Sequence, residues 1–350
     1  METRIETTRA SLQDVAREAG VSLATVDRVL HGRAGVHART VARVNEVVQR
    51  LGYRPDPAAA RLARSRTLKL VFVLPSGTNT FVTMLNQQVQ AIAPWLAEQR
   101  TTAVVQTVDV FSPVALARHL AKLQGQSDAV IVMALDHPQV RAAIDDLIEH
   151  GVVVVTMVSD VPASRRDHYV GIDNVAAGRT AATLLGRFVG PRADGEARIG
   201  IVMGSRSLRD HAERLFGFEQ VMAAEYPHLR LLTPIEGHDL SQRTEPLVAK
   251  LLKREHALAG LYSIGAGNRG IQAALAASGR AERIAWVCHE LTPHARRALL
   301  DGVADAVINQ DAGHEVRSAC RLALARLSGE RVLADQERIR IDVFLKDNLP

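Results

Sequence analysis

Residues 12–31, LQDVAREAGVSLATVDRVLH, read as two short helices joined by a tight glycine turn. Leu12, Val15, Ala16 and Ala19 recur at i, i+3, i+4 and i+7 and line one apolar face of a first helix. Ser11 stands at its N-cap with Asp14 three residues on, and Gly20 supplies the turn. Ser22 caps a second helix whose Val26 and Val29 face inward, leaving Leu23, Ala24, Thr25, Asp27 and Arg28 at its outward, N-terminal end. In a helix-turn-helix those positions meet base edges and phosphates. A plain helical hairpin has the same periodicity, so charge has to decide. Residues 1–66 hold 12 Arg, no Lys and 7 acidic residues, whereas residues 67–350 hold 31 basic and 31 acidic ones, so the whole excess of +5 lies in the first fifth of the chain. Arginine neutralises phosphate and forks onto guanine, and this segment is expected to meet a polyanion.

Beyond the helix pair, HGRAGV makes a loop and a third helix runs from about Ala38, with Val41, Val44, Val48 and Leu51 on one face and Gly52 at its end. The stretch 53–66, YRPDPAAARLARSR, is a linker whose helical state is conditional, because a short Ala-rich segment is marginal in water without packing. Residues 1–55 are thus expected to form a headpiece, 56–67 a hinge, and 68–350 a separate core. With 47% hydrophobic and 23% charged residues the 350-residue chain is globular, and no apolar run approaches the roughly 20 residues of a membrane span. The polar start METRIETTRA has no apolar signal-peptide region, so a cytoplasmic location without membrane contact is expected. Cys288 and Cys320 make neither a disulfide framework nor a metal cluster, and are expected to be buried small hydrophobes.

From Leu68 the texture becomes α/β. Short β-rich runs such as LKLVFVL, DAVIVMAL, VVVVTMV, ARIGIVM and LAGLYSI alternate with helical stretches such as VALARHLAKLQG and NVAAGRTAATLLGRFV. Strands buried on both faces and alternating with helices mean parallel sheets, and some 280 residues of this imply two Rossmann-like subdomains. Ligands of such sheets bind outside the carboxyl ends of the strands. Those ends carry Thr78, Asn79 and Phe81; Asp109; Asp136 and His137; Ser159 and Asp160; Asp173 and Asn174; Ser205 and Arg206; Asn268 and Arg269; His289 and Glu290; Asn309 and Gln310. So polar a set suits a hydroxyl-rich small molecule with Phe81 or Trp286 against its apolar face, although Asp136, Asp173 and Asn174 are equally suited to capping helices. Arg206, Arg209, Arg214, Arg269, His137 and His289 lean the reading toward a sugar acid or sugar phosphate.

Two motifs point elsewhere. Gly265, Gly267 and Gly270 spell G-x-G-x-x-G between a strand and a helix, with Glu290 twenty residues on, which suits an NAD-binding oxidoreductase. The fingerprint normally opens the first βαβ unit, however, and about six strands precede this one. His289, Glu290 and His294 miss the metalloprotease pattern, since the histidines are five apart with Pro293 between them. No G-x-S-x-G elbow or P-loop is present, so neither an enzyme nor a cofactor or metal is expected.

The strings DVAREAGVSLATVDRVL, LGYRPDPAAARLA, VGIDNVAAGRTAATLLGRF and ERLFGF give the chain a close resemblance to the lac repressor (LacI/GalR) family of bacterial transcription regulators, across nearly its whole length. The resemblance implies a helix-turn-helix headpiece, a hinge helix and a core similar to periplasmic sugar-binding proteins, in which two subdomains close over an effector. It implies that Leu23 and Ala24 read bases, that Arg28 contacts guanine in the major groove, that Ser11 and Thr25 hold phosphates, and that Leu62 wedges into the minor groove. Asp27 departs from the family, where serine is usual; a carboxylate there is repelled by phosphate but can accept from cytosine N4 or orient Arg28. In the core it implies effector contacts from Asn79, Phe81, Ser159, Asp160, Arg214, Asn268, Glu290 and Gln310, to which the strand ends add Asp136, Arg269 and His289. The partners implied are a pseudo-palindromic operator DNA, a sugar or sugar-derived effector, and a second copy in a homodimer, with a tetramer as the alternative. The last helices and strand are expected to cross back between subdomains, dividing the core into about 68–170 plus 300–330 and about 171–299 plus 331–345. A transport or chemotaxis binding protein would share the core but not the headpiece.

Overall fold

The structure, a computed structural model, describes residues 10–30, 35–53, 67–77, 79–190, 197–265 and 267–350. The chain divides into two compact units, Met1–Ser65 and Arg66–Pro350.

The first unit contains α1 (Leu12–Ala19), α2 (Leu23–Leu30) and α3 (Ala38–Arg50). The Ser11 hydroxyl accepts from the Asp14 N–H at 3.2 Å while the Asp14 carboxylate accepts from the Ser11 N–H at 2.9 Å, a reciprocal cap that starts α1. These Ser11 bonds hold the Asp14 carboxyl below its ordinary range. Gly20 ends α1 in the left-handed region at φ 62°, and the Val21 N–H reaches back to the Ala16 carbonyl at 3.1 Å. Ser22 then caps α2 by accepting from the Thr25 N–H at 3.2 Å. Val15, Ala16, Ala19, Val26, Val44 and Val47 close a small core. The expected stripe of α3 is rotated slightly: Val47 is buried, whereas Val41, Val48 and Leu51 are half-buried.

The second unit is built on two sheets. The first has the order β2-β1-β3-β4-β5, from β1 (Leu68–Pro75), β2 (Thr101–Val108), β3 (Ala129–Val132), β4 (Val153–Met157) and β5 (His168–Val170), all parallel. Helices α4 (Thr80–Ala91), α5 (Ala93–Glu98), α6 (Pro113–Ala121) and α7 (Pro138–Glu149) make its connections. The second has the order β12-β11-β10-β9-β6-β7, with β8 also on β6. Its strands are β6 (Arg198–Met203), β7 (Arg230–Leu231), β8 (Ile235–Glu236), β9 (Leu258–Ser263), β10 (Ala285–His289), β11 (Ala306–Asn309) and the antiparallel edge β12 (Asp342–Phe344). Its helices are α8 (Asn174–Val189), α9 (Arg209–Glu225), α10 (Ser241–Arg254), α11 (Asn268–Ser278) and α12 (Pro293–Leu300).

The chain passes between lobes three times. It leaves the first sheet after β5 into α8, returns after β11 as α13 (Ala312–Ser328), which packs on α4, β4 and β5, and leaves again through α14 (Ala334–Glu337) to β12. The expected division at about residue 300 is therefore corrected: β11 hydrogen-bonds β10 and β12 in the second sheet, so the return begins only after Asn309. Cys288 and Cys320 are buried free thiols, which burial raises.

Candidate functional site

In each lobe the first strand in sequence lies between two later ones, β1 between β2 and β3, β6 between β7 and β9, so the strand order reverses there. The carboxyl ends at these switch points are where open α/β sheets leave a crevice. Two adjoining recesses lie there and share Asn79 and Asp239. The first takes Phe111 and Ser159 from one lobe and Leu208 and His238 from the other. The second takes Asn79 and Phe81 against Asn268, Arg269, His289 and Glu290.

The backbone is strained around this cleft. Among the described residues five non-glycine residues have φ between 49° and 68°, and four of them, Val158, His238, Asp239 and Glu290, sit at strand ends beside the recesses. A β-branched residue at φ 66°, as Val158 is, costs on the order of 1–3 kcal/mol and persists only where its surroundings enforce it. Here the Ser159 N–H closes back on the Met157 carbonyl at 2.7 Å, which turns the Ser159 side chain into the recess.

The floor is a buried polar network. Gly178 of α8 and Gly217 of α9 let the two helices touch: a Cβ on either would collide with the Arg214 or Val175 carbonyl across the contact. That closeness sets Arg214 over Asn174. Its Nε donates to Asn174 Oδ1 at 2.8 Å and its Nη1 to the Ile264 carbonyl at 2.9 Å, with Glu290 Oε1 at 3.6 Å. Gln310 Nε2 donates to the same Glu290 oxygen at 2.7 Å. Burial pushes the Glu290 carboxyl up to about 7 against the pull of Arg214 and Gln310. Burial, with Glu290 nearby, raises Glu315 on α13 well above the ordinary range. Ser159 Oγ, Asp210 Oδ1, Arg214 Nη2, Glu290 Oε2, Gln310 Oε1 and both Glu315 oxygens are buried with no hydrogen-bond partner among the described residues. Buried polar groups are normally bonded, so this concentration marks a place made to receive something else.

The structure gathers Asn79, Phe81, Ser159, Asn268, Arg269, His289 and Glu290 at the recesses, and joins Arg214 and Gln310 to them through Glu290. It does not bring in Asp160, which is held by Arg166, Thr156 and the Val161 N–H, or Asp136, which pairs with Arg141 at 2.6 Å and Arg209 at 3.2 Å. Asn79 also caps α4, accepting from the Phe81 N–H at 2.9 Å. Asp173 caps α8, Asp109 closes a turn onto Phe111, and Asn309 accepts from the Leu291 N–H. Trp286 is corrected from the cleft to the core, where it is fully buried among Val248, Ile271 and Leu299; the aromatics at the recesses are Phe81 and Phe111, the latter stacked on His238 at 5.7 Å. Thr78 lies outside the described residues.

Of the cationic side chains expected at the cleft, Arg269 lines the second recess and Arg214 joins it through Glu290, while others are engaged elsewhere. Arg209 is neutralised by Glu213 at 2.8 Å and Asp136, and His137 accepts the Gln139 N–H at the start of α7. His289 is held neutral by burial and then by Arg214, and its Nε2 shares a 2.8 Å bond with the Tyr262 hydroxyl. Sequence reasoning missed His238 and Asp239, although the rule of strand ends applies to them directly. It also missed Glu315, whose signal is a glutamate on the apolar stripe Ala312, Val316, Ala319 of α13.

The G-x-G-x-x-G stretch has another use. A Cβ on Gly265 would strike His211, one on Gly267 the Thr244 hydroxyl, and one on Gly270 the Ser241 carbonyl. The glycines let α10 and His211 approach the start of α11 closely, so a packing role accounts for all three. Among the described residues no group of three or more His, Cys, Asp or Glu is arranged to hold a metal, and no helix is long and apolar enough to cross a membrane.

In the first unit the N-terminal end of α2 is open. Leu23, Ala24 and Arg28 are exposed, Leu23 by 44%, and Thr25 and Asp27 are half-exposed, while Val26 is buried beneath them. Ser11 is exposed at the start of α1. Leu62 lies outside the described residues.

The core matches the model described as "Periplasmic binding protein domain" over residues 70–331, and the headpiece that of "Bacterial regulatory proteins, lacI family" over 11–56. The HTH-type transcriptional regulator pepR1 of Lactobacillus delbrueckii subsp. lactis is 30% identical over 218 residues, 61% of each chain. Catabolite control protein A of Staphylococcus aureus is 42% identical over 83 residues, 24% of this chain and 25% of that protein. The chain thus aligns with at most about three-fifths of the length of these relatives. An ABC transporter solute binding protein from Burkholderia graminis, solved with D-arabinose, has the same fold, with a TM-score of 0.73 at 17% identity over 81% of this chain and 97% of that one. With three-quarters of its length in the one family and its N-terminal helices in the other, the chain belongs to the periplasmic binding protein domain family and carries a headpiece of the lacI family of bacterial regulators.

Proposed function

We propose that this protein is a ligand-responsive DNA-binding transcriptional regulator, a repressor rather than an enzyme, acting in the cytoplasm. The observation that carries the reading is the open end of α2, where Leu23, Ala24 and Arg28 are exposed over a buried Val26, in a chain that also holds an orphan-rich ligand cleft. Leu23, Ala24 and Arg28 read base edges, Ser11 and Thr25 hold phosphates, and Asp27 adjusts the preference by accepting from cytosine or orienting Arg28. Leu62 in the hinge wedges the minor groove. A homodimer places two headpieces on a pseudo-palindromic operator. A sugar or sugar derivative binding at Asn79, Phe81, Ser159, Arg214, Asn268, Arg269, His289, Glu290 and Gln310 shifts the angle between the lobes and so changes operator affinity, a coupling typically worth about 1–3 kcal/mol.

The test is selection of operator sequences from random DNA by the full chain, followed by fluorescence anisotropy with and without a sugar panel. Enrichment of an inverted repeat and release by a sugar are expected. Salt-sensitive binding with no sequence enriched would sink the reading.

A further inference from the structure

The floor of the cleft holds three buried acidic side chains beside one guanidinium and the His211 imidazole, whose Nε2 lies 3.8 Å from Asp210 Oδ2. Asp210, Glu290 and Glu315 are 3%, 6% and 0% exposed, and the guanidinium among them is that of Arg214, whose Nε and Nη1 are already taken by Asn174 and Ile264. The electrostatic coupling of Arg214 to Glu290 and Asp210, and of Glu315 to Glu290, Arg214 and Asp210, puts the four groups within one another's field. The unpartnered atoms lean toward acceptors: Asp210 Oδ1, Glu290 Oε2 and Gln310 Oε1 stand against Arg214 Nη2, while His289 Nδ1 can take either role and the Glu315 carboxyl, which burial keeps protonated, offers one donor and one acceptor. Glu290 borders the recess itself, and Ser159 Oγ, also unpartnered, borders the other.

A carboxylate or phosphate group offers acceptors only and would be repelled by an ionised Glu290. A neutral polyol can donate to the oxygens but leaves the charge uncompensated. A protonated amine does both, with three donors and one positive charge.

Resting on the effector-sensing reading above, we propose that the effector is a small hydroxylated amine, an amino sugar or amino polyol, whose ammonium group sits against Glu290 in the field of Glu315 and Asp210. Ser159, Asn79 and Asn268 meet its hydroxyls, and Phe81 and Phe111 its apolar faces.

The experiment is calorimetric titration of the full chain at pH 7.5 with D-glucosamine, D-galactosamine and 1-amino-1-deoxy-D-sorbitol. Each is compared with its N-acetyl form and with D-glucose, D-galactose or D-sorbitol, and D-gluconate and glucose 6-phosphate complete the set. One amine is expected to bind about tenfold or more tighter than its acetylated and neutral counterparts, since a charge-assisted hydrogen bond is roughly twice as strong as a neutral one and N-acetylation removes the charge. Glu290→Gln, checked for folding by thermal melt, should collapse that ratio toward one. Equal or tighter binding of a neutral sugar, gluconate or the phosphate overturns the amine but leaves effector sensing standing. Failure of all three amines also overturns the amine, whereas effector sensing falls only if nothing in the whole set binds.

Discussion

Arg214 Nε lies 2.8 Å from Asn174 Oδ1, and both side chains are buried where α8 and α9 meet across Gly178 and Gly217. One guanidinium thereby joins the start of α8, the Ile264 carbonyl after β9 and the Glu290 carboxylate after β10.

Arg214→Ala leaves Asn174 Oδ1 and the Ile264 carbonyl without this donor and Glu290 without its cation, and breaking a buried pair of this kind costs about 3–5 kcal/mol. Arg214→Lys keeps the charge but cannot reach Asn174 and Ile264 together, so it should recover only part of that. Urea denaturation followed by far-UV circular dichroism checks both; an unmoved midpoint for Arg214→Ala would remove the residue from its structural role.

Glu290 and Glu315 have folded-state pKa values above those of an unfolded chain. The folded protein therefore holds protons that the unfolded one releases, and both groups cost stability as pH rises above the ordinary glutamate range, Glu290 up to about 7. His289, held neutral by burial, acts oppositely below its ordinary range, so the difference between variants is the clean quantity. Glu315→Gln should raise Tm by roughly 2 °C or more at pH 8 and by less at pH 5. A constant difference across pH would show that Glu315 does not titrate abnormally.

Gly270→Ala drives a Cβ into the Ser241 carbonyl and the Glu245 N–H, both backbone atoms that cannot rotate aside. Overpacking of this kind costs about 1–3 kcal/mol. Thermal melting of the variant should show that loss, and NAD should leave the wild-type midpoint where it is. A stabilising shift with NAD would reinstate the nucleotide fingerprint.

Arg28→Ala is expected to weaken binding to a selected operator by about 1–3 kcal/mol while changing affinity for random DNA far less, because a base contact discriminates and a phosphate contact does not. Anisotropy titrations on the two duplexes at one salt concentration give the ratio. Equal losses on both would make Arg28 a backbone contact.

Local chemistry made the headpiece legible. Ser11, Asp14, Gly20 and Ser22 specify their caps within a few residues of themselves, and the structure has each one in place. The parallel strands of the two sheets were equally readable, since strands buried on both faces show as unbroken apolar runs whatever they pack against. The cleft was only half legible, for a physical reason: the rule of strand ends says which residues reach the crevice but not which of them a neighbour has already taken. Asp136 and Asp160 look like Ser159 in the sequence, yet Arg141, Arg209 and Arg166 consume the first two and the turn at Val158 aims the third. Arg209 and His137 suggested a cationic site, but Arg209 pairs with Glu213 and His137 is spent on capping α7. The sequence by itself determined helix caps, strand runs and the charge of the first 66 residues, all set by near neighbours. Pairing between groups 40 to 100 residues apart, such as Arg214 with Asn174 and with Glu290, together with Glu315 carried by α13 to the cleft floor, was decided only by the tertiary structure, because burial and partner choice belong to the packed molecule.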